Sequence, residues 1–178
     1  AQIGSGGMGS IFLARDPAID RLVAVKLMRE GFEDARRRER FAREAQSIGR
    51  MQHQNIVTVF DVGEHEGEPF IAMEYVDGED LSSLLKRIGR FPEDRALEIA
   101  RQICAGLAAA HERDVIHRDL KPANVMIDGT GKVRITDFGL AGASGEAIRA
   151  GTPAYMAPEQ LAGQEVTAQS DIYALGLI

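Results

Sequence analysis

The sequence predicts an α+β chain of two lobes, strand-rich at the start and mainly helical afterwards. Three observations carry this reading. Short apolar, β-branched runs separated by turn residues recur at 11–14, 22–27, 55–60 and 70–76. Helical spacing then takes over, first at Leu81, Leu84, Leu85 and Ile88, then at Ala96, Ile99, Ala100, Ile103, Leu107 and Ala110. Between the two patterns Asp77-Gly78 breaks the chain, which places a boundary between residues 1–76 and 77–178.

The first elements form a hairpin. Gly4, Gly6 and Gly9 make a G-x-G-x-x-G run between Ile3 and the apolar stretch Ile11-Phe12-Leu13-Ala14. Glycines let a backbone approach a phosphate and aim N–H groups at it. Alone the run also fits a dinucleotide fold, a plain hairpin turn or a linker. A dinucleotide fold needs a helix directly after the glycines. Here a strand, the Asp16-Pro17 turn and a second strand, 22–27, follow instead. Lys26 lies inside that second strand, in V-A-V-K. An ammonium there is costly unless an anion meets it. The plainer reading is a snorkelling surface lysine; the functional one is a cation for nucleotide phosphates.

Residues 32–51 read as a helix, with Phe41, Ala45 and Ile48 on one face and Glu44 leaning toward it. Glu44 either pairs with Arg40 on the surface or reaches across to Lys26. Arg36, Arg37, Arg38, Arg40 and Arg43 read as a solvated face. Strands at 55–60 and 70–76 follow, joined by a turn at 64–69. Pro92 suits the first turn of the long helix after residue 91. Cys104, the only cysteine, falls in that helix and is expected to be buried.

Residues 115–124 read V-I-H-R-D-L-K-P-A-N, a polar loop between Val115-Ile116 and Val125-Met126-Ile127. A loop held at both ends by strands is a fixed platform for reactive groups. The spacing fits a catalytic loop in which Asp119 accepts a proton and Asn124 holds a metal. A turn at 128–131 returns the chain through 133–135 to Asp137-Phe138-Gly139, bringing Asp137 to the same end as Asp119. Asp137 reads either as a strand-end residue or as a second metal-binding carboxylate.

The bulk numbers exclude some classes. With 178 residues the chain can bury one sizeable core or two small ones. Its net charge of −6 gives no overall basic signature for nucleic acid. No apolar run is long enough to span a bilayer, and no signal peptide opens the chain. One cysteine points to a reducing, cytoplasmic setting, including the cytosolic part of a larger membrane-anchored protein. The four histidines show no metal-ligand spacing.

Five stretches stand in order: the glycine run, V-A-V-K, H-R-D-L-K-P-A-N, D-F-G and A-P-E at 157–159. Together they resemble a eukaryotic-type protein kinase, in the style of bacterial serine/threonine kinases, over essentially the whole chain. The resemblance implies a bilobal kinase-like fold, ATP with Mg²⁺ (or Mn²⁺) as cofactors, and a protein serine or threonine as acceptor. It implies that Gly4, Gly6 and Gly9 cover the phosphates. Lys26 would bind them, held by Glu44. Asn124 and Asp137 would hold the metal. Asp119 would be the base, with Lys121 facing the γ-phosphate. It places the base between Ile3, Ile11 and Ala24 above and Met126 below. Glu74 and Val76 would bond its edge, with Met73 behind and Asp80 near the ribose. His117, Phe138, Ile48 and Val59 match a stacked spine. Arg118 before Asp119 implies control by a phosphate, for which Ser144 is the expected site upstream of Thr152. The chain also reads as a kinase fragment truncated at both ends. Competing readings are a nucleotide-binding pseudokinase, an inactive fragment of an active kinase, and a dinucleotide oxidoreductase. All of Lys26, Asp119, Asn124 and Asp137 are present, which favours catalysis.

Overall fold

A computed structural model describes residues 1–6, 9–28, 35–138 and 153–178, with 6, 35–38 and 40–42 given by backbone alone. Strands β1 (Gln2–Gly6), β2 (Gly9–Asp16), β3 (Arg21–Leu27), β4 (Val59–His65) and β5 (Glu68–Glu74) form one antiparallel sheet in the order β1-β2-β3-β5-β4. The β1–β2 turn depends on glycine. Gly9 has φ 144°, and a Cβ there would lie 1.9 Å from the Leu27 carbonyl oxygen. In β3 the two-residue side-chain period puts Ala24 and Lys26 on the same face, and both are buried. Helix α1 (Ala35–Gly49) packs beside β4 and buries Ala45 and Ile48.

The strand expected at 55–60 is displaced. β4 starts at Val59 and runs to His65, and the turn is confined to Glu66-Gly67. Asn55 is the physical reason. Its side-chain amide donates to the Val133 carbonyl at 3.0 Å and to Gln102 Oε1 at 3.1 Å. Its own carbonyl accepts from the Ile135 N–H, and Val57 N–H donates to Ile135 O, both at 2.9 Å. The segment spends its hydrogen bonds on the second lobe, so it cannot also run as an edge strand of the first sheet.

The second lobe begins with a three-stranded sheet: β6 (Gly78–Asp80), β7 (Val125–Asp128) and β8 (Val133–Ile135), in that order. Strand β6 was not expected from sequence. It fits beside β7 because position 78 is glycine; a Cβ there would lie 2.2 Å from the Ile127 carbonyl oxygen. Asp128 closes the β7–β8 hairpin by accepting from Thr130 N–H and Oγ1 and from Lys132 N–H. These bonds, Thr130's hydroxyl first, hold its carboxyl below the usual carboxylate range.

Helices α2 (Leu81–Ile88) and α3 (Glu93–His111) form where the spacing predicts them; on α2 Leu81 is buried, Leu84 and Leu85 are half-buried, and Ile88 at the end is exposed. The buried stripe of α3 is Ile99, Ile103, Gly106, Leu107 and Ala110. Ala96 is exposed and Ala100 only half-buried, because β8 meets the C-terminal half of the helix. Cys104 is exposed, contrary to expectation: it follows Ile103 and so turns about 100° off the stripe. Two short helices complete the described chain, α4 (Pro158–Leu161) and α5 (Ala168–Leu175). One apolar cluster runs from Ala24, Met28 and Ile48 through Ile71 and Phe138 to Ile103, Leu107 and Ile135. Among the described residues no helix is long and apolar enough to cross a membrane.

Candidate functional site

Between the two sheets lies a cleft of about 680 Å³. Its walls include Ile3, Gly4, Gly9, Ile11, Ala24, Lys26, Met73, Glu74 and Val76, and from the second lobe Asp80, Asp119, Lys121, Asn124, Met126 and Asp137. Nearly all the residues singled out in the sequence therefore share one cavity. Among the described residues, Glu44 does not line it, and the surroundings of Gly6 lie outside what the structure describes.

The charged groups occur in close pairs. Lys26 Nζ lies 2.7 Å from Asp137 Oδ1, and both side chains are largely buried. Burial alone would raise the Asp137 carboxyl. The Lys26 charge and hydrogen bond, with help from Lys121, overcome that and hold it below the ordinary value. Asp137 sits in the left-handed region at φ 63°. Lys121 Nζ lies 2.7 Å from Asp119 Oδ2. Asn124 donates its amide to the Asp119 carbonyl oxygen at 2.8 Å, and more weakly to Oδ2 at 3.3 Å.

The described ion pairs of Lys26 and Glu44 involve further partners. Lys26 makes its described ion pair with Asp137, while Glu44 faces Arg118, Oε1 to guanidinium 3.5 Å. Asp137 follows the buried β8, and a carboxylate that deep requires a close cation, which Lys26 supplies.

The loop carrying Asp119 is fixed from below. Asp171, 1% exposed at the start of α5, accepts His117 N–H at 2.8 Å and Arg118 N–H at 2.9 Å. His111 Nε2 lies 2.8 Å from the same carboxylate. His117 Nε2 bonds the Thr136 carbonyl at 2.8 Å, and its Nδ1 accepts Asp119 N–H at 3.3 Å. A carbonyl can only accept, so His117 donates from Nε2 in the contact with Thr136. Its ring tilts against Phe138, centroids 4.7 Å apart. Ile48 and Val59 join the same apolar cluster. Gln160 donates from Nε2 to the Arg118 carbonyl at 2.8 Å and accepts Ala157 N–H on Oε1 at 3.0 Å.

The nucleotide-side expectations meet particular constraints. Asp80 caps α2, accepting Ser83 N–H at 2.9 Å and Ser83 Oγ at 2.6 Å. Glu74 gives its backbone N–H to the Thr58 carbonyl at 2.8 Å, and its carboxylate meets Arg134 at 3.4 Å. Ser144 and Thr152 lie outside the described residues.

The oxygen donors suit a hard divalent cation. Asn124 commits its NH₂ to Asp119, which leaves the amide oxygen for another partner, and Asp137 adds a carboxylate. Among the described residues no cluster of three or more His, Cys, Asp or Glu could hold a metal. A magnesium ion needs only one or two protein ligands when phosphates supply others, so two donors fit it.

Asp171 and Gln160 were not found by sequence reasoning. The available signal for Asp171 was a lone acid opening the apolar run Asp171-Ile172-Tyr173-Ala174-Leu175. Gln160 carried no signal beyond following Glu159.

Comparison with known proteins bears on this arrangement. A family model described as "protein kinase domain" matches residues 1–178. A probable serine/threonine-protein kinase of Corynebacterium efficiens is 43% identical over all of this chain, which covers 29% of that protein. The serine/threonine-protein kinase PrkC of Bacillus subtilis is 41% identical over 99% of the chain, which covers 28% of it. The chain thus spans under a third of the length of these relatives. The crystal structure of the Mycobacterium tuberculosis PknI kinase domain superposes with TM-score 0.83 at 34% identity, covering 98% of this chain and 68% of that one.

Proposed function

The chain belongs to the protein kinase family, and from that premise we propose that it transfers the γ-phosphate of ATP to a serine or threonine hydroxyl of a protein. One observation carries the reading: Lys26 and Asp137 share a single cleft with Asp119, Lys121 and Asn124. Phosphoryl transfer asks a protein mainly to align two oxygens and offset charge. In this reading residues 1–76 and 77–178 close around the nucleotide. Gly4, Gly6 and Gly9 cover the phosphates and Lys26 binds them. Ile11, Ala24 and Met126 sandwich the base, with Met73 behind it. With its N–H given to Thr58, Glu74 has its carbonyl for the base edge, and Val76 adds a second backbone contact. Asn124 and Asp137 hold Mg²⁺, which offsets phosphate charge when bound. Asp119 orients the acceptor hydroxyl and takes its proton, while Lys121 balances the carboxylate beside it. Glu44 steadies Lys26, and its contact with Arg118 ties it to the loop carrying Asp119.

Transfer of labelled phosphate from ATP to casein tests this. Asp119→Ala is expected to lower the rate by about 10²–10⁴ while leaving ATP affinity nearly unchanged. Undiminished labelling by Asp119→Ala would overturn the mechanism.

A further inference from the structure

We propose that Gln160 is a positioning residue: it holds the Arg118 peptide, and through it the Asp119 carboxylate, in the geometry that transfer requires. The proposal rests on the phosphotransferase reading above. Arg118 sits at φ 69°, a left-handed conformation that an arginine leaves unless its surroundings hold it. Two bonds hold it, one on each side. Its N–H goes to Asp171 Oδ1 at 2.9 Å, and its carbonyl, in the peptide that leads into Asp119, accepts from Gln160 Nε2 at 2.8 Å.

The chemistry calls for an amide at position 160. Its oxygen accepts the N–H of the fully buried Ala157 at 3.0 Å, so its nitrogen is the end presented to Arg118. A carboxylate would satisfy Ala157 but repel the Arg118 carbonyl. An apolar side chain of the same length would satisfy neither. Gln160 also belongs to α4, the first α-helix described after residues 139–152. A shift of that helix is therefore passed to the residue that precedes Asp119.

The test is a kinetic double-mutant cycle in the full-length protein, with calorimetric ATP titration alongside. Gln160→Met is expected to lower kcat about tenfold, with KM for ATP and ATP affinity changed by less than about twofold. Gln160→Glu lowers kcat at least as far and serves if Gln160→Met does not fold. Glycine takes positive φ without a holder, so in an Arg118→Gly background the same substitution is expected to cost under about threefold. An unchanged kcat in the single variants, or an equal loss in both backgrounds, overturns the proposal. An Asp119→Ala control separates the two readings. If that control is inactive while Gln160 variants keep full kcat, only the Gln160 assignment fails. If it stays active, the phosphotransferase reading fails with it.

Discussion

Lys26 and Asp137 illustrate how a buried charge is tolerated. Each alone would be costly to bury, and at 2.7 Å each neutralises the other. The pair has a pH signature. The Asp137 carboxyl is held below its ordinary value of 3.8. A depressed carboxyl adds stability that is present above the ordinary value and is lost as pH falls through the lower, folded-state value. Urea unfolding of wild type and Asp137→Asn should therefore differ at pH 6, with the gap shrinking once pH falls below the ordinary value of 3.8 and closing only as pH passes the lower folded-state value. A gap that stays constant to the acid limit would show that the pair contributes no such linkage. At this scale the sequence was informative about identity and poor about partners. Lys26 stood out because an ammonium in an apolar strand demands an anion. Which anion depends on where β8 and α1 come to rest, and neither the spacing of Glu44 nor that of Asp137 encodes it.

The elements show a division among glycines that the G-x-G-x-x-G pattern conceals. Gly9 is required by the fold, since any Cβ meets the Leu27 carbonyl. Gly4 is not: a Cβ there would meet only the Ile11 side chain, at 3.7 Å. Gly9→Ala is accordingly expected to cost about 1–3 kcal/mol of stability. Gly4→Ala should change stability by under about 0.5 kcal/mol yet weaken ATP binding several-fold by crowding the phosphates. Thermal denaturation and ATP titration of both variants measure this; equal effects on stability would contradict the division. The long periodic elements were legible, as α3 and β3 show. Strand β6 was not, because three residues carry no period and their pairing is permitted by a glycine whose neighbour lies far along the chain. The displaced start of β4 was hidden likewise, since Asn55 spends its amide on Val133 and Gln102.

Across the whole molecule, a few buried polar residues tie the parts together. Asn55 fastens the segment before β4 to α3 and β8, and Asp171 fastens α5 to the loop carrying Asp119. Asn55→Ala should lower unfolding free energy by about 1–3 kcal/mol, since it leaves the Val133 carbonyl short of a buried donor. An unchanged denaturation midpoint would show that this tie carries no stability. The site was legible as a set of motifs because each motif is local. Its supports, Asp171 and Gln160, were not, because they act on backbone groups that any residue could supply. On the proposed reading, one cleft gathers a nucleotide-binding lysine, a catalytic base and two oxygen donors for a divalent ion. The most direct measurement is calorimetric titration of ATP, with and without Mg²⁺, into wild type and Asp137→Ala. The account predicts that Mg²⁺ tightens ATP binding to wild type and that Asp137→Ala loses this enhancement. An equal Mg²⁺ enhancement in both proteins would contradict it.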